Sequence, residues 1–215
     1  PLDGSSIVKV QQWEQDNSWG AHHSLVELSP NHFALAYKGR RELNRTGSTY
    51  AARIKTFKIP NDGLTITPIE GLRHEVNFNR SDSWGAGEYN SFIKLDEDSY
   101  ALAYKGVWGN QWRQLGKLKT FTIQPDGTGI VEESFQYIFD DLNGNSGHFN
   151  STLMLDSDHL LIQSRDRHND GWVKSYKVSN GGKTLTEDWK FEFADNSTMD
   201  WSWERSLFQI DKDTY

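Results

Sequence analysis

Short apolar runs alternate with polar turns along the whole chain, and the same succession of runs returns several times. Four segments open on Ser and continue apolar: "SLVEL" at 24–28, "SFIKL" at 91–95, "STLML" at 151–155 and "SLFQI" at 206–210. A polar triplet follows each, then a second run, "HFALAY" at 32–37, "SYALAY" at 99–104 and "HLLIQS" at 159–164. Alternation of this period predicts strands, and the Asp- and Pro-containing triplets predict tight turns between them. A third strand is predicted at 52–59, 117–123 and 172–178, with Ile54, Phe57 and Ile59, or Leu118, Phe121 and Ile123, as its apolar set despite a phase irregularity near Thr56 and Thr120. The turns "PNDG", "QPDG" and "SNGG" then offer the positive-φ positions of hairpins. A less regular fourth strand closes each unit, within 64–76, 129–139 and 184–193.

The Ser anchors recur after 67, 60 and 55 residues. Four antiparallel strands per unit, with no helical segment, predict an all-β chain built as a β-propeller or propeller fragment of four-stranded blades. The whole of 1–215 reads as one propeller region, with units at 24–90, 91–150 and 151–205, and partial units at 1–23 and 206–215. "PLDG" at 1–4 aligns with "PNDG" at 60–63, so the following residues are expected to supply a fourth strand. Both ends thus fall inside a unit, which leads us to expect a longer chain or an oligomer, because three blades do not easily close a ring.

Composition agrees with strands: 18 Gly, 9 Trp, 8 Tyr and 11 Phe accompany no Cys. Without Cys there is no disulfide, thiolate or Cys-ligated zinc. The net charge of −7 argues against nucleic acid and anionic membrane as general partners, and no apolar run reaches the length of a bilayer span.

The phrases "SYALAYKG", "KLKTFTI" and "QPDG" resemble the repeats of uncharacterised secreted bacterial β-propellers. The resemblance runs through essentially the whole chain as a repeat pattern and implies an extracellular or cell-surface setting. The third unit departs from it, with Leu161, Ile162 and Gln163 in place of Ala-Leu-Ala and no Lys-Gly after them.

In a propeller blade, the loop from strand four to the next strand one and the loop from strand two to strand three open on one face. Sorted that way, six of the nine Trp fall on this face: Trp19, Trp84, Trp108, Trp112, Trp201 and Trp203. Arg40, Arg41, Arg113, Arg165, Arg167 and Arg205 accompany them, with His22, His23, His148 and Tyr89. Aromatic planes suit the C–H face of a sugar, and guanidinium forks suit carboxylate or sulfate. The plainer reading of Trp19 and Trp84, each within a Ser-Trp-Gly-Ala phrase, is packing between blades. Adjacent His22 and His23 on an extended segment point apart, which disfavours a shared metal. His148 is expected as a solvated loop residue.

The pairs Asp96/Asp98, Asp156/Asp158 and Asp211/Asp213 invite calcium, but they lack the Gly and the terminal Glu of an EF-hand loop, and turn chemistry is the first explanation. No other cofactor is expected.

The leading expectation is a recognition or adhesion propeller that binds a carbohydrate, including an acidic glycan, or a surface protein, without catalysis. A polysaccharide lyase is one alternative, with Arg neutralising a uronate and His or Tyr moving protons. A structural subunit of a surface assembly is the other.

Overall fold

The computed structural model describes residues 9–14, 20–41, 49–76, 87–108, 113–140, 147–166, 168 and 170–194. Among them there is no helix, and twelve strands form three antiparallel sheets of four. Sheet one holds β1 (Gly20–Ser29), β2 (His32–Arg41), β3 (Thr49–Lys58) and β4 (Thr67–Glu75). Sheet two holds β5 (Glu88–Lys94), β6 (Ser99–Trp108), β7 (Arg113–Ile123) and β8 (Ile130–Asp140). Sheet three holds β9 (His148–Met154), β10 (His159–Arg165), β11 (Gly171–Ser179) and β12 (Thr184–Ala194). Each is a meander in chain order, and the first strands lie side by side, β1 against β5 and β5 against β9.

Two residue choices explain this stacking. In the Ala-Leu-Ala-Tyr phrase the alternating side chains go to opposite faces of the strand. Ala34 and Ala36 of sheet one meet Tyr100, Leu102 and Tyr104 of sheet two in one core. Ala101 and Ala103, on the other face of sheet two, meet Leu160 and Ile162 of sheet three in a second. A small face therefore receives a large one at each junction, and burying Leu102 alone contributes about 1.5–3 kcal/mol.

The same geometry revises the third strand. β3 pairs with β2 in unbroken register, so Ile54 and Thr56 share the face of Ala36 and Ala34, whereas Phe57 shares the face of Phe33. Likewise Leu118 belongs to the second core and Phe121 to the first. The apolar positions expected to form one set belong to two faces, because the middle sheet is covered on both sides. The irregularity near Thr56 and Thr120 falls in the next pairing, where the register shifts between Lys55 and Phe57 and between Lys119 and Phe121.

The Ser that opens each of the first two whole units is a connector between sheets. Ser24 Oγ accepts from Phe92 N at 2.8 Å, and Ser91 Oγ accepts from Thr152 N at 3.0 Å. At the other end of the strands, the β7–β8 turn docks on sheet one, where Ser29 Oγ donates to Pro125 O at 2.7 Å and Thr56 Oγ1 to Gly127 O at 2.9 Å. The β11–β12 turn docks on sheet two in the same way, with Ser99 Oγ donating to Gly181 O at 2.6 Å.

Residues 9–14, expected to help form a fourth strand, lie outside the three sheets. Trp13 packs instead on Phe57, with ring centroids 5.2 Å apart, and Lys55 Nζ sits 5.7 Å from the Trp13 centroid.

Candidate functional site

The three first strands begin on one repeated phrase, Gly-x-x-x-Ser: Gly20 to Ser24, Gly87 to Ser91 and Gly147 to Ser151. Gly87 and Gly147 hold positive φ, at 87° and 73°. A Cβ on Gly87 would lie 2.7 Å from the Ala52 backbone, and one on Gly147 would lie 2.4 Å from Gly116 Cα. Each glycine thus lets a first strand start directly against the third strand of the preceding sheet.

Strand register then aligns three cations. Ala21 pairs with Lys38, Glu88 with Lys105 and His148 with Arg165. Lys38, Lys105 and Arg165 each stand six residues beyond the first residue of their strand, so the repeat brings one cation per sheet to the same end. Lys38 and Lys105 are buried, and Arg165 is half-buried.

Burial of two ammonium groups requires a compensating charge. Glu88 supplies it: Oε1 lies 2.5 Å from Lys38 Nζ and Oε2 lies 3.2 Å from Lys105 Nζ. Burial alone would raise the Glu88 carboxyl, but the hydrogen bond from Lys38 and the charges of Lys105 and Lys38 outweigh it and hold its pKa below 4.5. Burial lowers the Lys105 pKa, and the charges of Lys38 and Arg165 press the same way, against the pull of Glu88.

Aromatic rings cross the same end of the three sheets. The His22 and Tyr89 ring centroids are 4.9 Å apart, and Tyr89 and His148 are 5.3 Å apart. Lys105 Nζ lies 5.6 Å from the Tyr89 centroid, and Lys38 Nζ lies 4.9 Å from that of Tyr50. His22 and Tyr89 occupy the same repeat position and share a left-handed backbone, with φ of 54° and 52°. Each sits where the first-strand register slips, between Ala21 and Ser24 and between Glu88 and Ser91. A bulge with such a residue re-aims its side chain out of the regular alternation.

A second row lies behind. Arg53 and Lys117 are almost fully buried across from Tyr37 and Tyr104, and a Cβ on Gly39 or Gly106 would strike their stems, at 2.8 Å from Arg53 Cδ and 2.5 Å from Lys117 Cδ. The Gly of Lys-Gly therefore makes room for a cation. In sheet three Asp166 takes that position and Trp172 replaces the cation, with Trp172 Nε1 donating to Asp166 Oδ2 at 3.2 Å. Asp166 Oδ1 also accepts from His168 N and Asp170 N, at 2.8 and 3.0 Å. The missing Lys-Gly of the third unit is thus replaced by a different closure of the loop.

Of the residues expected at the site, His22, Tyr89, His148 and Arg165 come together. His148 is buried at the start of β9, which corrects its expected place in a solvated loop. The reason is that the strands run further than their apolar runs: backbone pairing continues to His148 and Arg165, as it does through Gly20–Ala21 and Lys38–Arg41 in sheet one. His23 is exposed and stacks on Tyr37 at 6.2 Å, a different neighbour from that of His22. Arg40 and Arg41 end β2, while Trp108 and Arg113 pair across the β6–β7 hairpin, so their backbones reach the same end. Trp19, Trp84, Trp112, Arg167, Trp201, Trp203 and Arg205 lie outside the described residues. Sequence reasoning passed over Lys38, Lys105 and Glu88, although the shared six-residue offset of Lys38, Lys105 and Arg165 was visible.

At the opposite end, Asp156, Asp158 and His159 bring three ligand-type atoms within 4.8 Å of one another. Asp156 Oδ1 accepts from Asp158 N at 2.9 Å and His159 N at 2.8 Å, which is hairpin-turn bonding. Those bonds and His159 bring the Asp156 carboxyl to about 2, and Asp156 in turn raises the His159 pKa. The equivalent His32 faces Ser29 Oγ at 3.2 Å.

No family model matches this chain, and no curated protein matches its sequence.

Proposed function

We propose that the three sheets are successive blades of a β-propeller, and that the protein is an extracellular or cell-surface recognition module that binds an acidic carbohydrate. The observation that carries this reading is the convergence of Lys38, Lys105 and Arg165, one from each sheet, beside the His22–Tyr89–His148 row. Tyr89, His22 and Arg165 are partly open to solvent, whereas the lysines lie behind them. A sugar ring can stack on the aromatic groups while its anionic substituent meets the cations. In a protein of net charge −7 a polyanion is held here through these local cations, so binding weakens as salt rises. Screening a glycan array and titrating hits by intrinsic Trp fluorescence tests the reading. Saturable, salt-sensitive binding of an acidic glycan is expected, and silence across all polysaccharides would overturn it.

One observation favours a second reading. Tyr89 is held in a left-handed conformation between two imidazoles, within reach of the fields of Lys105 and Arg165. That is a set of groups able to move a proton beside a neutralised carboxylate, as uronate β-elimination requires. Ultraviolet absorbance from an unsaturated product distinguishes it from simple binding.

A further inference from the structure

The stack of three sheets has two outward faces, and they are the two halves of one repeated joint. In sheet two the face turned to sheet one is closed, with Phe92 only 5% exposed and Leu102 buried beside it. Leu25 and Leu35 hold those repeat positions in sheet one, paired on the face opposite Ala34 and Ala36. There Leu25 is 55% exposed and Leu35 is half-buried.

The outer half of that face is closed by the chain itself. Trp13 lies on Phe57 at 5.2 Å, as Tyr137 of sheet two lies on Tyr176 of sheet three at 6.2 Å, and Phe57 and Tyr176 hold one repeat position. Ile66 N donates to Gln11 Oε1 and ties the segment down. Residues 9–14 thus stand where the fourth strand of a preceding sheet would stand, with Val10 exposed among them.

Sheet three shows the reverse. On its outward face Leu161 and Gln163 of β10 are buried, although none of the three sheets covers them. Further out on the same face, Trp189 pairs with Ser175 and Phe191 with Val173, and these rings are 44% and 60% exposed. Because Val173 corresponds to Leu118, Phe191 holds the place of Tyr137, which in sheet two packs against sheet three. Sheet one is therefore open on its inner half and sheet three on its outer half.

We propose that this protein binds a second copy of itself head to tail, the outward face of sheet three in one copy against the outward face of sheet one in the next. Residues 9–14 of the second copy lie against Trp189 and Phe191 of the first, and the closed inner half of sheet three covers Leu25 and Leu35 of the second. Each copy closes the half that the other leaves open, continuing the joint already used between sheets, which singles out a second copy over an unrelated protein. Both faces stay exposed in the single chain, so one copy does not close the joint on itself. Since the contact joins two different surfaces, it builds a ring where the rotation closes and a filament where it does not. It is independent of the carbohydrate reading and goes beyond it.

Sedimentation velocity of the full chain from about 1 to 100 μM reads this association directly. The parent is expected to pass from monomer to dimer or larger species across that range. Leu25→Glu and Phe191→Glu are each expected to weaken association roughly 10–100-fold, as loss of one buried apolar side chain does. Both positions are exposed in the single chain, so circular dichroism melts of the dilute variants should match the parent. An equimolar mixture of the two variants is the decisive sample: each retains one intact face, so a mixed dimer forms and grows no further. A parent that stays monomeric throughout overturns the proposal. So does association that neither substitution touches, or a mixture no more associated than either variant alone, the mark of a face that pairs with itself.

Discussion

The junction between sheets one and two and that between sheets two and three use the same joints, and they part company only at the end where the first strands begin. In both, a first-strand Ser accepts a backbone N–H from the next sheet, a third-to-fourth-strand turn docks on the preceding sheet, and a left-handed glycine lies on a third strand. At the far end, Glu88 and Asn90 close the first junction, whereas His148 and Asn150 stand in those places in the second. What is repeated holds sheets together. What differs lies at one end of the sheets.

The largest effects are expected where the joints are shared. Gly147→Ala and Gly87→Ala each combine a left-handed φ with a Cβ pressed on backbone, and we expect each to cost roughly 2–5 kcal/mol in urea unfolding. A loss confined to one of them would break the equivalence of the two junctions. Ser91→Ala leaves Thr152 N without its acceptor, and Ser24→Ala does the same to Phe92 N, so each is expected to cost about 1–2 kcal/mol by the same measurement.

Smaller, pH-dependent effects should separate the junctions. The folded pKa of Glu88 lies below 4.5, so its contribution is present above about that pH and is lost as pH falls through the folded value. Thermal melts from pH 6 to about pH 2.5 should therefore show a decline to which Glu88 contributes, and Glu88→Gln should remove that contribution. Tyr100, whose place in sheet three is taken by Leu160, is pushed up to about 12 by burial, with Asp98 adding to the shift. Its contribution is present below about pH 10 and is lost as pH rises from there toward 12. Tyr100→Phe should flatten that alkaline loss, and an unchanged slope would remove Tyr100 as its source. Acid and alkali thus both act on the first junction through groups that the second lacks.

Much of this was readable in the chain. All twelve described strands contain or overlap the expected runs, and Ala-Leu-Ala-Tyr already carried the rule of a small face and a large face. The two Ser-Trp-Gly-Ala phrases look alike, yet Gly20 stands four residues before its Ser and Gly85 six, and backbone pairing gives the position of Gly20 to Gly87. Lys38 and Lys105 were passed over for a local reason: as the polar residue after an apolar strand, a Lys reads as the start of a loop. Pairing of Lys38 with Ala52 and of Lys105 with Gly116 keeps both inside a strand.

The sequence by itself determined the all-β class, the four-strand unit and its direction, because period-two alternation and turn chemistry act between residues close along the chain. It also determined that one cation recurs at one offset. Tertiary structure decided which faces are buried twice, that the opening Ser ties neighbouring sheets, and that Glu88 bridges two lysines fixed in different sheets. Those outcomes depend on charges and rings separated by some fifty residues or more, as Lys38 and Glu88 are. Local pattern carries no record of such distances, and only the stacking of one sheet on the next brings them within a few ångströms.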